Sequence, residues 1–201
     1  MTASPLPPIV QVGAPVLRGA AHDVDPSRIR TQEFRDLVQT MIEVMRKAPG
    51  VGLAAPQIGI PLRLIVLEDR EEFLAQLSPA ERAARGRVPF PTRVFVNPQL
   101  TPVGDEKAIF FEGCLSVSGY VALVERHLEV EVSGLDENAE PQTWRVRGWP
   151  ARILQHEVDH VGGTLYIDRM KTRSFATVDQ AKEHYGDKSI AEIVQALNIA
   201  R

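Results

Sequence analysis

Apolar residues recur at helical spacing in two segments of the chain. In residues 31–47 they stand three or four positions apart, at Phe34, Leu37, Val38, Met41, Ile42 and Met45. This period predicts one amphipathic helix that starts as early as Asp25-Pro26, ends before Pro49-Gly50 and buries its apolar stripe in the core. The same spacing predicts a C-terminal helix, capped by Asp187 or Ser189, at Ile190, Ile193, Val194 and Leu197.

Shorter apolar runs predict strands at residues 62–67, 92–98 and 107–113. Residues 128–148 alternate apolar and polar positions, turn through Asp136-Glu137-Asn138 and alternate again, which predicts a β-hairpin. Residues 50–59, GVGLAAPQIG, are too rich in glycine and alanine for a regular element and predict a shaped loop. The charged residues 68–91 predict a surface excursion with a short helix.

A further helix is predicted around residues 154–163, LQHEVDHVGG. On a helix, His156 and His160 lie about 40° apart on one face, and Glu157 lies about 60° from His160 on the other side. Apolar residues cover much of the remaining surface, at Ile153, Leu154, Val158 and Val161. Such a helix is typically buried, and buried histidines need partners, of which a metal ion is one. The alternative interpretation is a pair of solvated histidines.

These elements predict the fold class. Several antiparallel strands, with helices not interleaved between each pair, favour the α+β class over a doubly wound sheet. We expect antiparallel sheets packed around a central helix that carries the HEVDH motif, with a C-terminal helix. The length of 201 residues suits a single domain over residues 1–201.

Composition and charge narrow the class of protein. Hydrophobic content of 44% and charged content of 24% are typical of soluble globular proteins. A net charge of −3 argues against nucleic-acid binding and against attachment to an anionic membrane, and no apolar run approaches the ~20 residues of a membrane span. Residues 1–13 are predicted to be neither a secretory signal nor a transit peptide. A single cysteine fits a reducing compartment.

The paired histidines need a third protein ligand if they hold a catalytic metal, since such a site keeps one position open for water. The sole cysteine, Cys114, follows Gly113 after a predicted strand, and one thiolate with two imidazoles suits Fe²⁺ or Zn²⁺. Metal-assisted amide hydrolysis also needs donors for an oxyanion, and the Gln57 side chain and the Leu115 N–H are candidates. The alternatives are an inert buried Cys114 and an ordinary surface Gln57.

Three segments together resemble the motifs of peptide deformylases. They are GVGLAAPQ (50–57), EGCLS (112–116) and QHEVDH (155–160), in this order, with details similar to the organellar branch and its bacterial relatives. The resemblance implies hydrolysis of the formyl group from N-formylmethionyl ends of nascent chains, at the ribosome, with release of formate. It also implies Fe²⁺ as the physiological metal, with Zn²⁺, Ni²⁺ or Co²⁺ as substitutes. The implied location is the bacterial cytoplasm or an organellar matrix.

The resemblance also implies roles for individual residues. The implied metal ligands are Cys114, His156 and His160. Glu157 is the implied general base and later acid, and Gln57 and the Leu115 N–H face the formyl oxygen. Val51 and Gly52 are implied to line the substrate cleft, with Gly113 on the opposing strand. The walls of the methionine pocket are implied to be Phe110, Trp149 and Ile153.

Residues around these motifs carry further expectations. Glu112 and Arg126 are implied to form a buried ion pair that braces the metal strand. Val121 departs from the family, which often has an arginine there, so contacts beyond the methionine are expected to differ. Residues 174–201 do not match the organellar branch, and the resemblance implies no role for them.

Two other hypotheses use the same histidines. A zincin-type metallopeptidase, which cleaves peptide bonds, takes its third ligand after the motif helix, where this chain has His184 and unpatterned acidic residues. A structural zinc module has four protein ligands, and the chain has one cysteine and no fourth clustered histidine. Hydrolysis of formyl-Met-Ala but not of a blocked internal peptide would separate these hypotheses.

Overall fold

Residues 5–48, 50–75 and 77–199, which the computed structural model describes, form eight α-helices, three short 3-10 helices and eight strands. The α-helices are α1 (Pro26–Ile29), α2 (Gln32–Lys47), α3 (Glu71–Leu74), α4 (Pro79–Arg85), α5 (Trp149–Val161), α6 (Tyr166–Arg169), α7 (Val178–Tyr185) and α8 (Ile190–Ala196). The strands are β1 (Gly52–Ala54), β2 (Leu64–Asp69), β3 (Phe90–Pro102), β4 (Lys107–Cys114), β5 (Val117–His127), β6 (Glu129–Leu135), β7 (Pro141–Arg147) and β8 (Ala176–Thr177).

The strands form two antiparallel sheets. One has the order β1-β2-β3-β6-β7 and the other the order β4-β5-β8. The predicted hairpin is confirmed as β6 and β7, which pair from Glu129 opposite Arg147 to Leu135 opposite Pro141. Because every strand pair is antiparallel, the predicted α+β class is confirmed.

The motif helix α5 contacts strands of both sheets. It begins at Trp149 with Pro150 in its first turn and ends at Val161, before Gly162. Its residues Ala151, Leu154 and Val161 are fully buried, in a cluster that also contains apolar side chains of β2, β3 and β6. Burial on several sides therefore makes α5 the central helix of the fold.

The first predicted helix divides into two. Asp25 caps the single turn α1, and Thr31 caps α2, which begins at Gln32 because the Thr31 hydroxyl accepts a hydrogen bond from the Phe34 N–H. The apolar stripe of α2 is buried against β1 and β2, as predicted, and the helix ends at Lys47. Pro49 lies outside the described residues.

Several elements differ from the sequence prediction. The predicted loop 50–59 contains β1, which pairs with β2, and a 3-10 turn at Ala55–Ile58. Strand β5 was not predicted. Its residues 122–124 are all buried, because the two faces of the strand pack against different apolar clusters, so apolar and polar residues do not alternate there. Helix α7 was not predicted either, because only Ala181 of this helix is buried.

The excursion 68–91 contains α3 and α4 and returns to the start of α5. Gly148, which precedes α5, has a φ of +77°, and a β-carbon there would lie 3.0 Å from the carbonyl oxygens of Arg85 and Gly86. A glycine is therefore needed where the excursion meets the motif helix. None of the helices in the described part of the chain is long and apolar enough to cross a membrane.

The two ends of the chain compare differently with the predictions. Helix α8 is confirmed, with Ser189 rather than Asp187 as its cap, and it buries Ile193 and Val194 in a cluster with Leu123 of β5. The prediction for residues 1–13 falls partly on residues 1–4, which lie outside the described residues.

Candidate metal centre and active site

Cys114, His156 and His160 meet at one point beside α5. Their ligand atoms all lie within 4.8 Å of one another, and Cys114 Sγ is 3.3 Å from His160 Nε2. Within residues 5–48, 50–75 and 77–199 this is the only such group of His, Cys, Asp or Glu donors. One sulfur and two ring nitrogens this close together fit a single divalent ion and leave room for a fourth ligand.

A buried ion network fixes the His156 ring. The Nδ1 atom of His156 lies 3.1 Å from Glu112 Oε2, which leaves Nε2 for the metal side. Arg126 donates two hydrogen bonds to Glu112, at 3.0 and 2.9 Å, and Arg152 donates a third. Arg126 also donates to Asp159 of the motif. The Glu112–Arg126 ion pair that the family resemblance implied is thus present.

Burial disfavours the charged forms of Glu112, His156 and His160. Hydrogen bonds from His156 and Arg126 outweigh burial at Glu112 and hold the pKa of its carboxyl well below the ordinary value. Burial also disfavours a charged His156, but hydrogen bonds to Cys114 and Glu112 raise the pKa of that ring well above its ordinary value. At His160, burial and nearby positive charges both lower the pKa. A neutral His160 ring keeps a lone pair available for a metal.

Glu157 is buried beside the three candidate ligands. Its Oε2 atom has no hydrogen-bond partner among the described residues, and burial raises the pKa of its carboxyl to about 7. A β-carbon on Gly52 would lie 2.3 Å from Glu157 Oε1, so the loop approaches the carboxyl as closely as glycine allows. The carboxyl is therefore held in a narrow space, with a pKa suited to proton exchange near neutral pH.

Gln57 is buried in the 3-10 turn after β1, so a surface position for it is excluded. Its Oε1 atom accepts a hydrogen bond from the Ala54 N–H at 2.9 Å, and its Nε2 atom lies 3.2 Å from Ser116 Oγ and 3.6 Å from Cys114 Sγ. The amide thus presents its N–H₂ group to the candidate metal centre. Leu115 follows Cys114 in the turn between β4 and β5, and its carbonyl accepts a hydrogen bond from Gln11.

A cleft of about 310 Å³ opens in front of this cluster. Five of the six predicted wall residues line it, namely Val51, Gly52, Gly113, Trp149 and Ile153. All the other candidate residues except His160 also line it: Gln57, Cys114, Leu115, His156 and Glu157. The cleft therefore joins a mostly apolar wall to the buried carboxylate and imidazole groups.

Phe110 is the predicted wall residue that the structure places elsewhere. Successive side chains of a strand point to opposite faces, so Phe110 shares the face of Glu112, where the Arg152 guanidinium carbon lies 5.2 Å from its ring centre. Its neighbour Phe111 lines the cleft instead. Phe110 lies instead at a small adjoining cavity with Trp149 and Arg152, and its contact with a bound methionine stays a prediction.

Sequence reasoning missed three polar residues of the site. Ser116 is fully buried and contacts Gln57. Arg152 donates hydrogen bonds to Glu112 and to the carbonyl oxygen of Val124. Asp159 accepts a hydrogen bond from Arg126. Ser116 and Asp159 stand inside the quoted motifs, so the signal was present without a role attached to it.

His184, the downstream histidine of the metallopeptidase hypothesis, is not near the centre. It lies on the exposed helix α7, with its Nε2 atom 3.1 Å from Gln180 Oε1 of the same helix. The described part of the chain therefore supplies no third ligand of the zincin kind.

Known proteins are similar to this chain in sequence and in fold. A peptide deformylase 1A from the tomato chloroplast is 51% identical over 87% of this chain and 63% of its own length, so the match spans less than two thirds of that relative. The human mitochondrial peptide deformylase is 45% identical over 87% of this chain and 73% of its own.

A solved structure and a family model agree with these relatives. The Acinetobacter baumannii class I type b peptide deformylase bound to Met-Ala-Ser superposes with a TM-score of 0.74 and 32% identity, over 83% of this chain and 99% of its own. The model of the polypeptide deformylase family matches residues 6–176, which include all three motifs and every candidate residue of the cleft described above. The chain belongs to the polypeptide deformylase family.

Proposed function

We propose that this protein is a peptide deformylase, a hydrolase that removes the formyl group from N-formylmethionyl peptides and releases formate and a free amino group. The observation that carries the proposal is the convergence of Cys114, His156 and His160 with the unpartnered carboxyl of Glu157 in one cleft. Membership of the family supports it. We further propose that residues 1–201 form a single catalytic domain.

Cys114, His156 and His160 would hold one divalent ion. One thiolate and two imidazoles suit Fe²⁺, which we propose as the physiological ion, and also Zn²⁺, Ni²⁺ and Co²⁺ as substitutes. When bound, the ion supplies Lewis-acid activation of water and of the formyl group. Glu112 orients His156 for this role through the 3.1 Å contact to Nδ1.

Glu157 moves the proton. Its carboxylate accepts a proton from the attacking water and returns it to the leaving amine, since a group with a pKa of about 7 exchanges protons readily at neutral pH. The Nε2 of Gln57 and the N–H of Leu115 donate to the oxygen that gains negative charge. The Ala54 N–H donates to Oε1 of Gln57, so the Nε2 of Gln57 is left to donate to the substrate.

The shape of the cleft selects the substrate. Val51, Trp149 and Ile153 supply apolar surface for an unbranched side chain such as methionine. Gly52 and Gly113 keep the reacting end narrow, so the small formyl group enters and an acetyl group is excluded.

The substrate class also indicates where the protein acts. Formylmethionyl ends occur on nascent chains, so we place its action at the ribosome, in the bacterial cytoplasm or an organellar matrix. The relatives named for chloroplasts and mitochondria support this placement.

Formate release tests the proposal. The metal-loaded protein should hydrolyse formyl-Met-Ala-Ser, should leave acetyl-Met-Ala-Ser intact and should not cleave a blocked internal peptide. Chelation should remove the activity, and addition of Fe²⁺ or Ni²⁺ should restore it. Cleavage of the internal peptide without formate release would instead support a metallopeptidase.

A further inference from the structure

Three large apolar side chains are exposed together at the mouth of the cleft. Tyr120, Phe175 and Val178 have exposed fractions of 43%, 42% and 48%. The rings of Tyr120 and Phe175 stack with centres 5.0 Å apart and planes 8° apart, and Tyr120 and Val178 also line the cleft. We call these three residues the apolar rim. Its continuity with the cleft distinguishes it from scattered surface hydrophobic residues, which need no explanation.

The backbone holds the apolar rim in place. Strand β8 pairs with β5, with Thr177 opposite Tyr120 and Ala176 opposite Val121. The Thr177 hydroxyl then caps α7 by accepting a hydrogen bond from the Gln180 N–H, which fixes Val178 as the first residue of that helix. Because these contacts do not involve a ligand, the rim is formed before any substrate binds.

Val178 lies beyond the part of the chain that the family model matches, which ends at residue 176. Helix α7 therefore brings Val178 to the cleft from outside the residues that the family model matches. This assigns a position in the site to the C-terminal segment, for which the sequence indicated no role.

The apolar rim lies within reach of the residues that follow a bound methionine. Val121 pairs with Gly113, the neighbour of the candidate ligand Cys114, and adjacent strands are about 4.8 Å apart. An extended peptide advances about 3.4 Å per residue, so its next two residues span about 7 Å. Val121 also lines the cleft and continues the apolar surface from Gly113 to the rim.

We propose that the apolar rim is a subsite for a large apolar side chain at the second or third residue of a formylated peptide, so that the protein prefers such nascent chains. The proposal rests on the proposed deformylase function. The charged residues that line the cleft, Glu112, Arg152 and Glu157, are all buried, and Arg152 donates to Glu112. The exposed rim therefore offers apolar contact to an entering side chain. Burial of part of a leucine there stabilises the complex, whereas an asparagine of similar size loses hydration.

Matched peptides test the subsite. We compare kcat/KM for formyl-Met-Leu-Ala with formyl-Met-Asn-Ala, and for formyl-Met-Ala-Leu with formyl-Met-Ala-Asn. At least one leucine peptide should be preferred by about five- to tenfold, as expected for partial burial of one side chain. Val178→Ser and Tyr120→Ser should each reduce that ratio, and the double variant should bring it close to one.

Val88→Ser is the matched control, because Val88 is 58% exposed and does not line the cleft. It should leave the leucine-to-asparagine ratio unchanged. Formate release without any preference for leucine, or a preference that survives in the double variant, would overturn the subsite and leave the proposed function standing. Failure to release formate from every peptide would overturn both.

Discussion

Gly52→Ala tests whether the position of the Glu157 carboxyl determines the rate. The added β-carbon would lie 2.3 Å from Glu157 Oε1, 2.7 Å from Cδ and 2.8 Å from Cγ, whereas ordinary contacts begin at 3.4 Å. The carboxyl must therefore move by about 1 Å. A misplacement of that size costs on the order of 10²-fold in rate. This corresponds to about 2.7 kcal/mol in the activation free energy.

The clash in Gly52→Ala falls on a side chain and not on the backbone. Gly52 has an ordinary negative φ, so we expect the free energy of unfolding to change by no more than about 1 kcal/mol. Metal content should also stay normal, because the three candidate ligands are not displaced. The measurements are kcat/KM for formyl-Met-Ala-Ser, metal stoichiometry and the thermal unfolding midpoint on one preparation.

Gly50→Ala is the matched control in the same loop. Its β-carbon would meet Leu115 Cδ1 at 3.0 Å, the far end of a flexible side chain that can turn away. We expect it to keep activity within a few fold. Near-normal kcat/KM in Gly52→Ala, with an unchanged fold, would refute the reasoning, because the carboxyl would then act equally well from another position.

Three other variants or treatments separate the remaining roles. Glu157→Gln should keep the metal and lose ~10²–10⁴-fold in kcat, and a variant with metal and normal kcat would exclude Glu157 as the base. Cys114 should react slowly with a thiol reagent in the metal-loaded protein and quickly after chelation, and equal rates would show that it is not a ligand. Glu68→Gln should lower the free energy of unfolding by about 1–3 kcal/mol at pH 7, because Glu68 accepts two hydrogen bonds from Arg46 and one from Thr92. These bonds, chiefly those from Arg46, lower the pKa of Glu68, so its contribution is complete above the unfolded-state pKa of about 4.3 and is lost as the pH falls through the folded-state value. Urea unfolding at pH 7 and at low pH should therefore show the two proteins converging in acid, and a constant difference would exclude this ion pair as the cause.

Local spacing predicted the parts of the site that lie on one element. The 3.6-residue period placed His156, His160 and Glu157 together on a buried helix, and α5 confirms this arrangement. On β4, Phe111 lines the cleft and Phe110 lies at an adjoining cavity with Trp149, so which of the two contacts a bound methionine stays a prediction. A two-residue period without a known register leaves that choice undetermined.

Local sequence patterns do not predict contacts between segments that are far apart in the chain. Arg152 stands one turn before His156 on the motif helix, and nothing in the sequence shows that it binds Glu112, 40 residues away. The pairing of β8 with β5, which brings Val178 to the cleft, depends on two residues of β8, too few for a recognisable strand pattern. The family resemblance implied a role for each candidate residue, whereas the tertiary structure shows which residues these side chains contact.

The ion pairs around Glu112 have a consequence for the exchange of the metal. Arg152 joins β4 to α5, and Glu112 contacts His156, so charged groups that are not ligands connect the two elements that carry the ligands. The ligand positions are thus maintained by the protein itself, unlike those of a zinc finger, where the ion drives folding. An entering ion loses little of its binding free energy to ordering the chain. We therefore expect a protein stripped of its ion to stay folded, and different divalent ions to enter the same preformed site.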